Sequence, residues 1–204
     1  MDFEKAAANW DAKPRRVKLA QDVAAAIIHA LHPTPQMEVL DFGCGTGLVT
    51  LALQPLVKSI TAADSSPGML AVLQDKVNQQ HLANVRPRLV DFEKGEVPEG
   101  RFHLIVSSMT LHHVPDTAAL IKLWFDLLLP GGVLGVADLD TEDGSFHSHN
   151  TGVYHLGFDR TRLKALVADT GFRQVQDTTA ATMVKEIAGG KEREFSIFLI
   201  TGRK

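Results

Sequence analysis

The stretch VLDFGCGTGLVT, residues 39–50, constrains this chain most, because a short apolar run ends in glycines at 43, 45 and 47 and a helical pattern follows at once. Glycine loses more backbone freedom on folding than any other residue. Three in five positions therefore point to a tight turn, to positive φ, or to a ligand held against the main chain. The same strand-then-helix order recurs along the sequence. Residues 15–31 place Val17, Ala20, Ala24, Ile27, Ile28 and Leu31 on one helical face behind Pro14, and 37–42 reads as a buried strand followed by a helix over 48–56. A second strand, 59–64, leads to a helix within 65–81, with Ser66 as N-cap and Pro67 at its first position. The third strand, 85–91, carries Pro87, which assigns it to a sheet edge or starts it just after the proline. A fourth strand covers 102–109, and Asp116 caps a helix over 117–128 with Leu120, Trp124, Leu127 and Leu128 on one face. Pro130-Gly131-Gly132 is expected to break the chain before a fifth strand, 133–140. The last helix, 159–170, ends at Gly171, and two strands near 172–187 and 194–202 are joined by the hairpin signal AGGK.

This alternation predicts a single α/β domain over residues 1–204. Its doubly wound sheet has about seven mostly parallel strands, an antiparallel C-terminal hairpin strand, and helices on both faces. Residues 140–158 are too long for an ordinary connection and form a candidate functional loop. A formal net charge of −3 and a pI near 6.3 give no support for a basic nucleic-acid groove or a polybasic membrane surface, without excluding either partner, and neither nucleic acid nor membrane is expected. No apolar run approaches the ~20 residues that cross a bilayer, and MDFEKAAANWD is acidic and polar where a signal peptide would be basic and then apolar. The expected location is cytoplasmic. Cys44 is the only cysteine, which excludes an intramolecular disulfide and a cysteine-based zinc cluster.

In sheets of this kind ligands lie beyond the carboxyl ends of the strands, where strand order reverses. Gly43 and Gly45 are suited to a sharp turn against a ligand, and Gly47 to close helix packing; the exposed N–H groups of the following helix favour a carboxylate or phosphate. A tight structural turn explains the glycines alone equally well. Asp64, which lies 21 residues after Gly43 at the end of the second strand, favours a nucleoside ligand with its ribose on this carboxylate. Its alternative role as a helix cap falls better to Ser66.

At this point the sequence resembles the class I S-adenosylmethionine-dependent methyltransferases, specifically the small-molecule, type 11-like group with a single Rossmann-like domain. The resemblance rests on VLDFGCGTG, AADSSPGML, LVDFE, FHLIVSSMTLHHVPD and LLLPGGVL, which spread over most of the chain. It implies S-adenosylmethionine as cofactor, S-adenosylhomocysteine as product and a small-molecule methyl acceptor. By position it implies that Asp41, Gly43 and Gly45 surround the methionyl part, Asp64 holds the ribose, and Ser65 and Met69 flank the adenosine. Asp91 and the N–H of Phe92 would serve the adenine, and Ser107 would face the methionyl end. Met69 and Phe92 also fit as plain core residues. Cys44 contributes backbone rather than a nucleophile, since transfer from a sulfonium to an external acceptor needs none.

The acceptor must be aligned with the methyl–sulfur bond, and a base is required only where it carries a proton. His112 and His113, after the fourth strand, are the candidate catalytic residues, with holding of their loop as the alternative. His147, His149 and His155 in the long loop are candidates for the acceptor site. Asp138, Asp140, Glu142, Asp143, His147 and His149 offer mixed ligands, but a solvated acidic loop without metal is expected. Residues 1–32 form an N-terminal lid and helix, in which Trp10 would exclude water and Arg15 and Arg16 would meet an anion; a Trp10 stapled to the first helix beside solvated arginines is the alternative. Two other functions share the motifs: a nucleotide-dependent oxidoreductase and a non-catalytic protein that binds S-adenosylmethionine.

Overall fold

The computed structural model describes residues 3–187 and 189–204, apart from the side chain of Glu93. The first two residues of the expected lid and the first of the AGGK turn lie outside the described residues. The chain runs α1 (Phe3–Ala6), α2 (Pro14–Leu31), β1 (Glu38–Phe42), α3 (Leu48–Leu53), β2 (Ser59–Asp64), α4 (Pro67–Gln79), β3 (Val85–Leu89) and β4 (Phe102–Ser108). It continues with α5 (Thr117–Leu127), β5 (Leu128–Leu139), α6 (Arg160–Asp169), β6 (Arg173–Ile187) and β7 (Lys191–Arg203). Ser66 and Asp116 cap where the sequence puts them, accepting the N–H groups of Met69 and Ala119, and Asp159, read as the first residue of the last helix, instead caps it by accepting the N–H of Arg162; each supplies a partner that the first helical turn lacks.

All seven strands form one sheet in the order β3-β2-β1-β4-β5-β7-β6. The first five are parallel, and β7 runs antiparallel between β5 and β6. Pro87 sits in β3 at the sheet edge, where its missing N–H leaves no ladder bond unmade. One expectation is corrected: Pro130-Gly131-Gly132 does not interrupt the strand. Pairing passes from Phe102 with Leu128 to Leu104 with Val133, so the intervening residues bulge out, with Gly131 at φ +77°.

Successive residues of the central strands point to opposite faces, and both faces are covered. Val39, Leu104, Val106, Ile197 and Leu199 pack with α2, α3 and α4, whereas Leu40, Ile105, Phe198 and Ile200 pack with α5 and α6 around the fully buried Trp124. Burial on both sides is why these strands read as unbroken apolar runs. Strand order reverses between β1 and β4, and both strands end at the same rim. The 140–158 segment folds back over that rim: the N–H of Phe158 bonds the Leu139 carbonyl, that of Tyr154 the His112 carbonyl, and Phe146 packs on Phe195 at 5.2 Å.

Candidate functional site

A cavity of about 1040 Å³ opens at the carboxyl ends of β1, β2 and β4. It lies at the upper end of the ~300–1,000 Å³ that ligand sites span, with room for more than one small molecule. The chain turns out of β1 by hooking the N–H groups of Gly43 and Cys44 onto the Ala63 carbonyl at 2.8 and 3.0 Å. Gly45 follows at φ +54°, with nothing within 4 Å of where a side chain would start, so its bare backbone faces the opening. Gly47 serves packing: a Cβ there would meet the Leu73 side chain at 2.3 Å.

Two carboxylates flank this turn. Asp41 is fully buried and is hydrogen-bonded by Thr50, whose hydroxyl lies at 2.5 Å. Burial pushes its carboxyl up to about 7 despite the Thr50 hydroxyl and backbone N–H, and the negative charge of Asp64 adds to the rise. Asp64 accepts the N–H groups of Gly45 at 2.7 Å and Ser66 at 2.9 Å, yet burial still holds it above the usual carboxylate range. Among the described residues neither has a cationic partner. Cys44 is buried beside them, which pushes its thiol well up and keeps it protonated.

Most of the expected residues meet here. Asp41, Gly43, Gly45, Asp64, Ser65, Met69, Asp91 and Phe92 line the cavity, as do Trp10, Arg15, Arg16, His112, His113 and His147. Met69 is also helix core, and Phe92 packs edge-on against Phe42 at 6.3 Å, so each holds both roles that the sequence allowed. Asp91 additionally caps the short turn Phe92–Lys94 and pairs with Lys94 at 2.7 Å. Three residues lie elsewhere. Ser107 turns away from the cavity and donates its hydroxyl to the Phe42 carbonyl at 2.9 Å, which ties β4 to β1, and Ser108 faces the opening instead. His149 is exposed outside the cavity. His155 is bound through Nε2 to the Val114 carbonyl at 2.9 Å and stacks against Phe158 at 5.1 Å.

The N-terminal segment is latched over the turn. Glu4 accepts the Ser66 hydroxyl at 2.8 Å and the Gly68 N–H at 3.0 Å, while Asp11 pairs with Lys76 and accepts the Thr46 hydroxyl. The Arg16 guanidinium lies 3.7 Å from the Trp10 ring centre over the cavity, and burial lowers its pKa. Trp10 thus packs on the first turn of α2 through the half-buried Arg16, while Arg15 beside it is exposed at the cavity mouth.

Opposite the carboxylates sits a cluster of imidazoles. The ring centroids of His112 lie 4.1 Å from His113 and 5.0 Å from His147, and the latter two are 5.6 Å apart. His112 is buried and shares a 2.6 Å hydrogen bond through Nδ1 with Asp138. Asp138 is fully buried, so the expectation of a wholly solvated acidic loop fails at its first member. Burial alone would raise the Asp138 carboxyl; the His112 imidazole and the N–H groups of Leu139 and His112 outweigh it and hold the group below its ordinary value. As Asp138 is ionised and can only accept, His112 donates to it from Nδ1, which leaves Nε2 facing the cluster. His113 Nδ1 contacts the Gly152 carbonyl at 2.6 Å. Burial, reinforced by the neighbouring imidazoles, lowers His113 to about 4 and His147 to about 3, which leaves both neutral at pH 7.

Thr110, Phe146, Tyr154 and Lys185 also line the cavity and went unread in the sequence. Lys185 comes from the distant strand β6 and donates to the Phe146 carbonyl, a placement with no local signal. Phe146 and Tyr154, aromatics in the long loop, were the legible hints.

Residues 39–132 match a family model described as a methyltransferase domain. An uncharacterized methyltransferase of Schizosaccharomyces pombe is 35% identical over 135 residues, 59% of this chain and 48% of that protein. A trans-aconitate 2-methyltransferase of Deinococcus radiodurans is 36% identical over 135 residues, 64% of this chain and 49% of its own. The chain thus spans about half the length of these curated relatives. In structure, the YcgJ protein of Bacillus subtilis superposes with a TM-score of 0.73 over 89% of this chain and 97% of its own, at 16% identity, a likeness of fold.

Proposed function

We propose that this chain, whose residues 39–132 match a methyltransferase domain model, is an S-adenosylmethionine-dependent enzyme that moves the sulfonium methyl group to a small anionic acceptor held against the imidazole cluster. One observation carries this reading: two carboxylates, the buried Asp41 and the half-buried Asp64, stand at the glycine turn with raised pKa values and no cationic partner among the described residues. A ligand with an ammonium and a sulfonium relieves that charge, and a ribose gives Asp64 two hydroxyl donors. A dinucleotide would instead bring a pyrophosphate beside Asp41 and add like charge.

In the transfer, the acceptor atom forms a bond to the methyl carbon as the carbon–sulfur bond breaks, and the electron pair returns to sulfur. The protein aligns the two centres and excludes water, which is where much of the barrier is lowered. His112 and His113 present their imidazoles on the acceptor side, that of His113 neutral at pH 7, with Asp138 orienting His112. Arg15, Arg16 and Lys185, on the same cavity wall, are the groups to meet an acceptor carboxylate or phosphate. The Deinococcus relative is named for an acceptor of that charge.

Calorimetric titration with S-adenosylhomocysteine, set beside NAD, tests the reading. Micromolar binding of the former and none of the latter is expected; the reverse preference would mean a dinucleotide enzyme. The latched N-terminal segment makes a second prediction. Deleting residues 1–13 removes the Glu4 and Asp11 contacts and Trp10, and is expected to weaken S-adenosylhomocysteine by roughly tenfold, about 1.4 kcal/mol, while the domain still melts cooperatively. Unchanged affinity would show that the segment is not a lid.

A further inference from the structure

Two buried ring nitrogens in the imidazole cluster, Nε2 of His112 and Nε2 of His147, have no hydrogen-bond partner among the described residues. Buried polar atoms are seldom left so, and two unpartnered ring nitrogens on adjacent rings ask for a shared ligand. One ring nitrogen from each of His112, His113 and His147 lies within 4.8 Å of the other two. The nitrogens on offer are the Nε2 atoms of His112 and His113, because each Nδ1 is held from behind, by the Asp138 carboxylate at 2.6 Å and by the Gly152 carbonyl at 2.6 Å. A carboxylate or carbonyl behind the imidazole is the arrangement that fixes the tautomer and raises the basicity of a metal-ligating histidine.

We propose that His112, His113 and His147 form a three-histidine site for a divalent transition metal ion, zinc foremost, on the acceptor side of the cavity. Three neutral imidazoles suit zinc, copper, nickel or iron, and zinc held by three protein ligands keeps a fourth position open for water or substrate. Zinc–nitrogen bonds of about 2.0–2.1 Å set tetrahedral ligand atoms about 3.3 Å apart. The cluster therefore closes by roughly 1.5 Å at most, through rotation of the half-buried His113 and His147 around the rigid, buried His112. Lys185 is held by the Phe146 carbonyl and is not a fourth ligand.

The existence of the site stands apart from methyl transfer; its use rests on that reading. An acceptor hydroxyl or thiol that binds the open position loses its proton to solvent water, and the resulting alkoxide or thiolate attacks the methyl carbon. The acceptor class is thus narrowed to molecules with a metal-binding oxygen or sulfur. The proposal also replaces the sequence expectation of no metal, which weighed the acidic loop and not histidines from two separate segments.

The test uses the full chain without a histidine tag, stripped by a chelator and titrated with zinc alone and with cobalt(II) as a spectroscopic probe. One zinc per chain and a saturable visible cobalt spectrum of tetrahedral type are expected. His147→Ala is expected to abolish both, Asp138→Asn to weaken zinc 10–100-fold, and His149→Ala, outside the cluster, to leave binding intact. S-adenosylhomocysteine affinity in the same preparations reports folding and the cofactor reading independently. Absence of saturable binding in a protein that still binds S-adenosylhomocysteine would overturn the proposal, as would stoichiometric zinc retained in His147→Ala.

Discussion

Asp41→Asn is expected to melt at a higher temperature than the parent at pH 8 and to bind S-adenosylhomocysteine at least 100-fold more weakly. The two effects have one origin. In the unfolded chain this carboxyl ionises at its ordinary value of 3.8, whereas in the folded protein burial pushes it up to about 7. Between those values the folded state keeps a proton that the unfolded state has lost. Stability therefore falls as pH rises through that window, by about 1.4 kcal/mol per unit, and the full deficit persists above it. An asparagine carries no charge to bury and can still accept the Thr50 hydroxyl, so it restores roughly 2–4 kcal/mol at pH 8, or about 5–15 °C in a domain of this size. Near pH 4 the gain disappears. The same substitution deletes the anion proposed to meet the cofactor's ammonium. In the parent, affinity should rise as pH climbs towards 7 and level off above it, whereas the variant should show no such slope. Equal melting temperatures at pH 8 would mean that Asp41 is not the buried acid that its surroundings imply.

For Asp64→Ala the expected loss is 100-fold or more in S-adenosylhomocysteine affinity, read by calorimetry. Two hydrogen bonds from ribose hydroxyls to a carboxylate contribute about 1.5–3 kcal/mol each, which converts to roughly 10²–10⁴ in Kd. Part of the loss comes through the protein itself. Asp64 also holds the N–H of Gly45, so alanine loosens the turn as well as removing the acceptor. A cooperative melt in the variant separates lost recognition from lost fold. Full affinity in a folded variant would show that the carboxylate serves the turn and no ligand.

Sequence legibility followed the range of the interactions. Strand–helix alternation, the caps at Ser66 and Asp116, the edge position of Pro87 and the glycine turn are encoded in neighbouring residues, because periodicity, N–H capping and φ preferences act over a few positions. The meeting of Asp64 with the glycine turn was legible for the same reason: the turn after β1 and the carboxylate ending β2 come from adjacent parallel strands, which places them together in any sheet of this order. Ser107 failed because strand neighbours alternate in direction, and a one-residue difference decides between cavity and interior.

On the acceptor side, the histidines could be counted but not assembled. Which of the loop imidazoles turns inward depends on Phe146 packing against Phe195, on the Tyr154 and Phe158 backbone bonds to the rim, and on Lys185 arriving from β6. Those contacts brought His147 to His112 and sent His149 and His155 elsewhere. By itself, then, the sequence determined the doubly wound fold and the glycine-turn end of its cavity, where the chemistry is local to strand termini. Only the tertiary structure decided the buried Asp138–His112 pair and the three-histidine face, because burial and long-range packing set the position of those rings and keep His113 and His147 neutral.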